Sequence, residues 1–144
     1  MLKIAHRGNI RGSEPYKENT KEYITDALHR GFMVEVDVWI DGGGFILGHD
    51  GLSRKQYVSA TWFNDENLLI HCKTPETFAE LAKNPDLHLV YHEGGIASTS
   101  KGYLFTAPGL PITERSIAVM PELSPLWDFS KAYAVCTDYV MNYV

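Results

Sequence analysis

Glu35 and Asp37 stand two residues apart inside the apolar run Met33 to Ile40, so strand alternation turns both carboxylates to one face. Buried like charges raise each other's pKa unless a cation neutralises them, and a hard divalent ion with oxygen ligands is a natural partner. An ion pair with Arg7 or Lys73 would serve the same end without metal. Two histidines occupy comparable positions. His6 ends the first apolar run, and His49 follows the turn at Asp41 to Gly44 and the short run Phe45 to Leu47. Imidazoles titrate near neutrality, so one of the pair can deprotonate an attacking hydroxyl or water while the other protonates a departing alkoxide. Asp50 adjoins His49 and is placed to orient its ring.

His71 and Lys73 repeat the two-residue spacing at the run Leu68 to Cys72. His71 is a candidate metal ligand or partner of Glu35, and Lys73 a candidate holder of a phosphate oxygen. Arg7 is suited to clamp phosphate, and Gly8 would let the backbone approach a ligand. His92, at the end of the next run, is placed for a substrate contact. Trp39, Trp62, Tyr103, Phe105 and Trp127 could line a pocket, although aromatic residues on such runs more often form core.

The elements that must position these groups are short apolar runs: Leu2 to Ala5, Met33 to Ile40, Phe45 to Leu47, Leu68 to Cys72, His88 to Tyr91, Tyr103 to Thr106, Ser116 to Met120 and Ala132 to Cys136. Several are apolar on both faces, the mark of parallel strands covered on both sides. Glu18 to Arg30 carries Thr20, Tyr23, Ile24, Ala27 and Leu28 at helical spacing, with Gly31 to end it. Thr74 and Pro75 open a second helix with Phe78, Leu81 and Ala82 inward. Beyond Pro85 no comparable amphipathic window follows, and the stretches Glu93 to Lys101, Ala107 to Arg115 and Pro121 to Lys131 read as loops. Strand, helix, strand and further strands lead to an α/β expectation: an abbreviated TIM-type (β/α) barrel with few crossover helices in the second half. Such barrels usually take about 250 residues; this chain has 144. An open α/β sheet is the alternative, and both put a site at the C-terminal ends of the strands.

A hydrophobic content of 44% and a charged content of 22% suit a soluble globular chain, expected as a single domain over residues 1–144. A formal charge of -5 without a Lys/Arg run disfavours nucleic acid as partner. No apolar run is long enough for a signal-peptide core or a transmembrane segment. Cys72 and Cys136 lie far apart without C-x-x-C spacing, so no disulfide framework or zinc knuckle is indicated, and a cytoplasmic setting is the simplest expectation.

In order, His6-Arg7-Gly8, Glu18-Asn19-Thr20, Glu35-Val36-Asp37 and His49-Asp50 resemble the motif blocks of the glycerophosphodiester phosphodiesterase family, within the phospholipase-C-like phosphodiesterases. Cys136-Thr137-Asp138-Tyr139 is similar to the Thr-Asp block closing that family's last strand. The resemblance implies a barrel fold, a divalent metal ion (Mg²⁺ or Ca²⁺, with Mn²⁺ a further candidate) and cleavage of a small glycerophosphodiester or a phospholipid headgroup. It implies His6 and His49 as the acid-base pair, Glu35 and Asp37 as metal ligands, and Arg7 and Lys73 as phosphate-binding cations. Two departures stand out: His71 replaces a third carboxylate ligand, and Lys17 replaces a proline. An imidazole ligand shifts preference toward a softer ion such as Mn²⁺ or Zn²⁺. Two alternatives use the same residues: a lyase-type variant forming a cyclic phosphate, and a non-catalytic module that binds phosphate esters.

Overall fold

The structure, a computed structural model, describes residues 1–50 and 56–143. Five strands and two helices make up the first part of the chain before β6: β1 (Leu2–His6), α1 (Lys21–His29), β2 (Met33–Asp41), β3 (Gly44–Leu47), β4 (Gln56–Val58), β5 (Leu68–Cys72) and α2 (Pro75–Leu81). The remaining strands are β6 (His88–Tyr91), β7 (Ile96–Ser98), β8 (Leu104–Thr106), β9 (Ser116–Val119) and β10 (Ala134–Thr137). All ten strands join one mixed sheet. Its spine is the parallel run β6-β5-β2-β1-β10-β9-β8. The hairpin β3–β4 adds antiparallel to β2, and β7 adds antiparallel to β8.

The sheet curls into a half-barrel whose two faces are both apolar, as continuous hydrophobic strands require. Its concave face gathers Ile4, Leu69, Val90, Phe105, Ile117, Ala134 and Cys136. On the convex face, Val34, Val36, Val38, Leu68 and Ile70 pack with Ile24 and Ala27 of α1 and Leu81 of α2. Ile24 is fully buried there, so its truncation to Ala would cost about 2–5 kcal/mol.

The expected abbreviated TIM-type (β/α) barrel, with few crossover helices in its second half, is not what forms. Only two helices are present among the described residues, of nine and seven residues, and the two ends of the parallel run, β6 and β8, do not pair. A closed (β/α) barrel needs a helix over each strand, and after α2 the described residues supply no further α-helix. Loops do the covering instead: Trp127 and Phe129 pack with Ile112, Ala118 and Ala132 outside β9. At the open side, the Ser100 amide donates to the Leu89 carbonyl at 2.7 Å, and the Ser100 hydroxyl accepts from the Leu89 amide at 2.8 Å. One serine thus satisfies an edge that a further strand would otherwise have covered.

Helix α1 is shorter than the periodicity suggested. Thr20 is its N-cap, its hydroxyl accepting from the Tyr23 amide at 3.3 Å, rather than a residue of its inner stripe. Gly31, at φ 90°, ends it as expected. Ile96–Ser98 forms a strand within a stretch read as loop, and Gln56–Val58 was not foreseen. Both are three-residue edge strands, too short for a periodic signal.

Candidate functional site

Register places the chemistry. In the parallel ladders Asp37 stands opposite His71, and His6 opposite Glu35. Alternation then turns His6, Glu35, Asp37, His71 and Lys73 to the concave face, level with the C-terminal ends of β1 and β5. Val38 pairs with Cys72 on one side and Leu47 on the other. The hairpin therefore lies beyond β1 along one edge of β2, which brings His49 to the same end of the molecule.

Glu35 and Asp37 are 0% and 1% exposed. His71 Nδ1 lies 3.3 Å from Glu35 Oε2 and 3.1 Å from Asp37 Oδ1. The three side chains offer ligand atoms within 4.8 Å of one another. Glu35 Oε2 is buried without a hydrogen-bond partner, a costly state for a carboxylate oxygen unless a cation meets it. On its far side, His71 Nε2 donates to the His92 carbonyl at 3.1 Å. That bond fixes the neutral tautomer with the Nδ1 lone pair aimed between two carboxylates, an arrangement asking for a proton or a metal. Burial alone would lower the His71 pKa, but its bonds to Asp37 and Glu35 raise it to about 9. A divalent ion fits this donor set of two carboxylates and one imidazole, in which Glu35 Oε2 accepts no hydrogen bond.

Around the cluster, each polar group is held in place. Burial would lower the His6 pKa, yet the bond from Nδ1 to Asp138 Oδ1 at 2.8 Å and the charge of Glu35 raise it. Its Nε2 points inward, 3.9 Å from Glu35 Oε1. Asn9 donates to the same Asp138 oxygen at 2.9 Å. Burial works to raise Asp37, but His49, with Nδ1 3.8 Å from Oδ2, the bond from His71 and the charge of Arg7 hold it well below the usual carboxylate range. Asn19 clamps Asp37 twice, donating to Oδ2 at 3.1 Å and accepting from the Asp37 amide at 3.0 Å.

Arg7 is more enclosed than the sequence suggested. Its Nε is 3.1 Å from Asp37 Oδ2, Nη1 donates to Glu18 at 3.2 Å, and Nη2 donates to His49 Nδ1 at 2.7 Å. The guanidinium thus ties His49 to the metal-ligand candidates and supplies the ion pair foreseen for Asp37. Lys73, half-buried one alternation beyond His71, makes no ion pair among the described residues. Arg7 and Asn19 are non-glycine residues at φ 57° and 58°, conformations costing about 1–2 kcal/mol each. Local hydrogen bonds offset that strain: the Arg7 amide to Glu35, and the Asn19 amide to the Arg7 carbonyl.

Gly8 serves packing rather than ligand approach: a Cβ there would lie 2.9 Å from Tyr23 Cδ2, at φ 88°. His92 contributes through its carbonyl, while its ring Nε2 donates to the Gly95 carbonyl at 3.0 Å. Trp39 binds the Gly48 carbonyl through Nε1 at 2.7 Å, while Trp62 and Trp127 pack against core clusters. Asn9 was not anticipated, and Asn19 and Asp138 entered only through motif resemblance.

No family model matches the sequence, and neither a curated protein nor a solved structure matches it. Among the described residues no helix is long and apolar enough to cross a membrane.

Proposed function

We propose that the chain is a divergent, metal-dependent phosphoric diester hydrolase related to the glycerophosphodiester phosphodiesterases. The carrying observation is the buried trio Glu35, Asp37 and His71 with a Glu35 oxygen that accepts no hydrogen bond, flanked by two histidines held in complementary tautomers. The reading does not require a closed barrel, because every site residue lies on, or just beyond, adjoining strands of the half-barrel.

Glu35, Asp37 and His71 would hold the divalent ion, which polarises the phosphoryl group and offsets its charge. His6 gives its Nδ1 proton to the bond with Asp138, so Nε2 carries the inward lone pair and accepts the proton of the attacking water. His49 accepts from Arg7 at Nδ1, which leaves its proton on Nε2. That proton passes to the alkoxide as the phosphorus–oxygen bond to the alcohol breaks and the bond to the water oxygen forms. Asp138 stabilises the imidazolium made at His6, and Lys73 supplies a cation for a phosphoryl oxygen.

Metal-stripped protein incubated with bis(p-nitrophenyl) phosphate and glycerophosphocholine, with Mg²⁺, Ca²⁺, Mn²⁺ or Zn²⁺ added singly, tests the reading. Metal-restored cleavage absent from His6→Ala is expected. A folded protein that cleaves neither substrate with any ion would sink it.

A further inference from the structure

The end of the sheet opposite the site carries its charges in two separate sectors. Asp65 and Glu66 lead into β5 and Asp86 leads into β6, so three exposed carboxylates stand at the N-terminal ends of two adjoining strands. Asn84 braces this sector: its Nδ2 donates to Asn64 Oδ1 at 3.2 Å, tying the two connections together, and its Oδ1 accepts from the Asp86 amide at 3.0 Å. Across the same end, Lys101 lies in the turn from β7 into β8, Arg115 precedes β9, Lys131 precedes β10 and Lys3 lies near the start of β1. Arg115 is fixed there. Its Nε donates to the Gly102 carbonyl at 2.7 Å, and its guanidinium lies 4.4 Å from the centre of the Tyr103 ring, itself stacked on Tyr133. Glu114 and Asp128 are the acids beside these four cations in the sequence, so positive charge stays in surplus.

Neither the three carboxylates nor the four cations make an ion pair among the described residues, whereas Arg30 and Lys83, at the same end, are neutralised by Asp26 and Glu80. Between the sectors, at β1 and β2, the surface is apolar. Met1 and Leu2 are 51% and 42% exposed and, with Phe32 and Met33, line a shallow concavity.

We infer that a second copy of the chain docks on this end, face to face, in a two-fold symmetric dimer. A two-fold axis lying in the face along the apolar seam turns the acidic sector of each copy onto the basic sector of the other, and it brings Leu2 and Phe32 against their counterparts. Like charges would meet if the copies were rotated away from that register, so the pattern specifies orientation as well as attraction. The same division argues against other occupants. A polyanion or an anionic membrane drawn to Lys101, Arg115 and Lys131 would meet Asp65, Glu66 and Asp86 on the same face. A standard interface covers about 800 Å² per partner, about a tenth of the 7482 Å² surface of this chain. Such a dimer leaves both sites at its outer ends, and it does not rest on the hydrolase reading.

Sedimentation velocity of the full chain is the test. At low ionic strength and high protein concentration the parent should sediment at twice the 16.2 kDa of one chain. Salt at about 0.5 M should weaken the association at least about tenfold. Two charge-reversed variants, Lys101→Glu/Lys131→Glu and Glu66→Lys/Asp86→Lys, should each be monomeric with unchanged circular dichroism. Mixing them should restore the dimer, because each then presents the charge that the other faces. The inference is overturned by a parent that stays monomeric at every concentration, by a dimer that survives both reversals, or by two monomeric variants that do not re-pair. A monomeric parent that binds phosphatidylserine vesicles, with binding lost in Lys101→Glu/Lys131→Glu, would overturn it in favour of an anionic surface as occupant.

Discussion

His71 and His88 lie on neighbouring strands and face the same concave side, with His71 in register with Val90, two residues beyond His88. Their surroundings make them opposites. His71 sits between two carboxylates that raise its pKa to about 9. His88 bonds the Thr99 hydroxyl at 2.7 Å, and burial, with Lys101 nearby, pushes its pKa down to about 4. One end of the half-barrel interior concentrates charge around a Glu35 oxygen that accepts no hydrogen bond. The other end pairs its polar groups neutrally and stays apolar around them, with Tyr103 stacked on Tyr133 at 4.2 Å. Residue type alone therefore does not distinguish a functional histidine from a structural one; the neighbouring charges do.

The sharpest way to break the comparison is to remove one histidine from each end. His6→Ala should lower turnover at least about a thousandfold while leaving the melting temperature nearly unchanged. His88→Ala should leave turnover of the folded protein intact and lower its stability. Steady-state kinetics beside thermal melts would decide, and a large catalytic loss in His88→Ala would erase the distinction. At the charged end, Glu35→Gln should weaken Mn²⁺ binding about a hundredfold by calorimetry. In the metal-free protein it should cost stability, because it removes one of the two carboxylates that His71 bridges.

Acid should expose the other end. The folded-state pKa of His88 is depressed, so the unfolded chain binds more protons below about 6.5. His88 thus favours folding above that pH, and stability falls as pH drops from about 6.5 toward 4, by up to about 3 kcal/mol. Urea unfolding of the parent and of His88→Gln isolates this contribution: the variant should show the shallower decline across that window. The smallest effect belongs to Lys73→Met, expected to raise KM about tenfold with kcat and stability little changed, since Lys73 makes no ion pair among the described residues.

The contrast also explains what could be read in advance. Glu35, Asp37, His71 and Lys73 were legible because alternation on an apolar strand is a strictly local rule, and the parallel register then aligned Asp37 with His71. Thr74 and Pro75 announced α2 through their own chemistry. The expectation of a barrel failed where the information is not local. Nothing in the runs at Leu104 or His88 says that β6 and β8 will remain apart, or that Ser100 will satisfy the edge between them. Asn9 was missed because it lies beyond any periodic pattern, and its bond to Asp138 spans 129 positions.

That last class of contact bears on the order of assembly. The trio Glu35, Asp37 and His71 comes from strands β2 and β5, which follow closely along the chain, whereas the bond that orients His6 joins residues 132 apart. Contacts of long sequence separation carry the larger loop-closure cost and form late in the search for the native state. Ion binding should therefore return before turnover when the denatured chain is diluted into native buffer, as stopped-flow metal quenching set against the recovery of activity would reveal. The interval between the two would time the docking of β10 against β1.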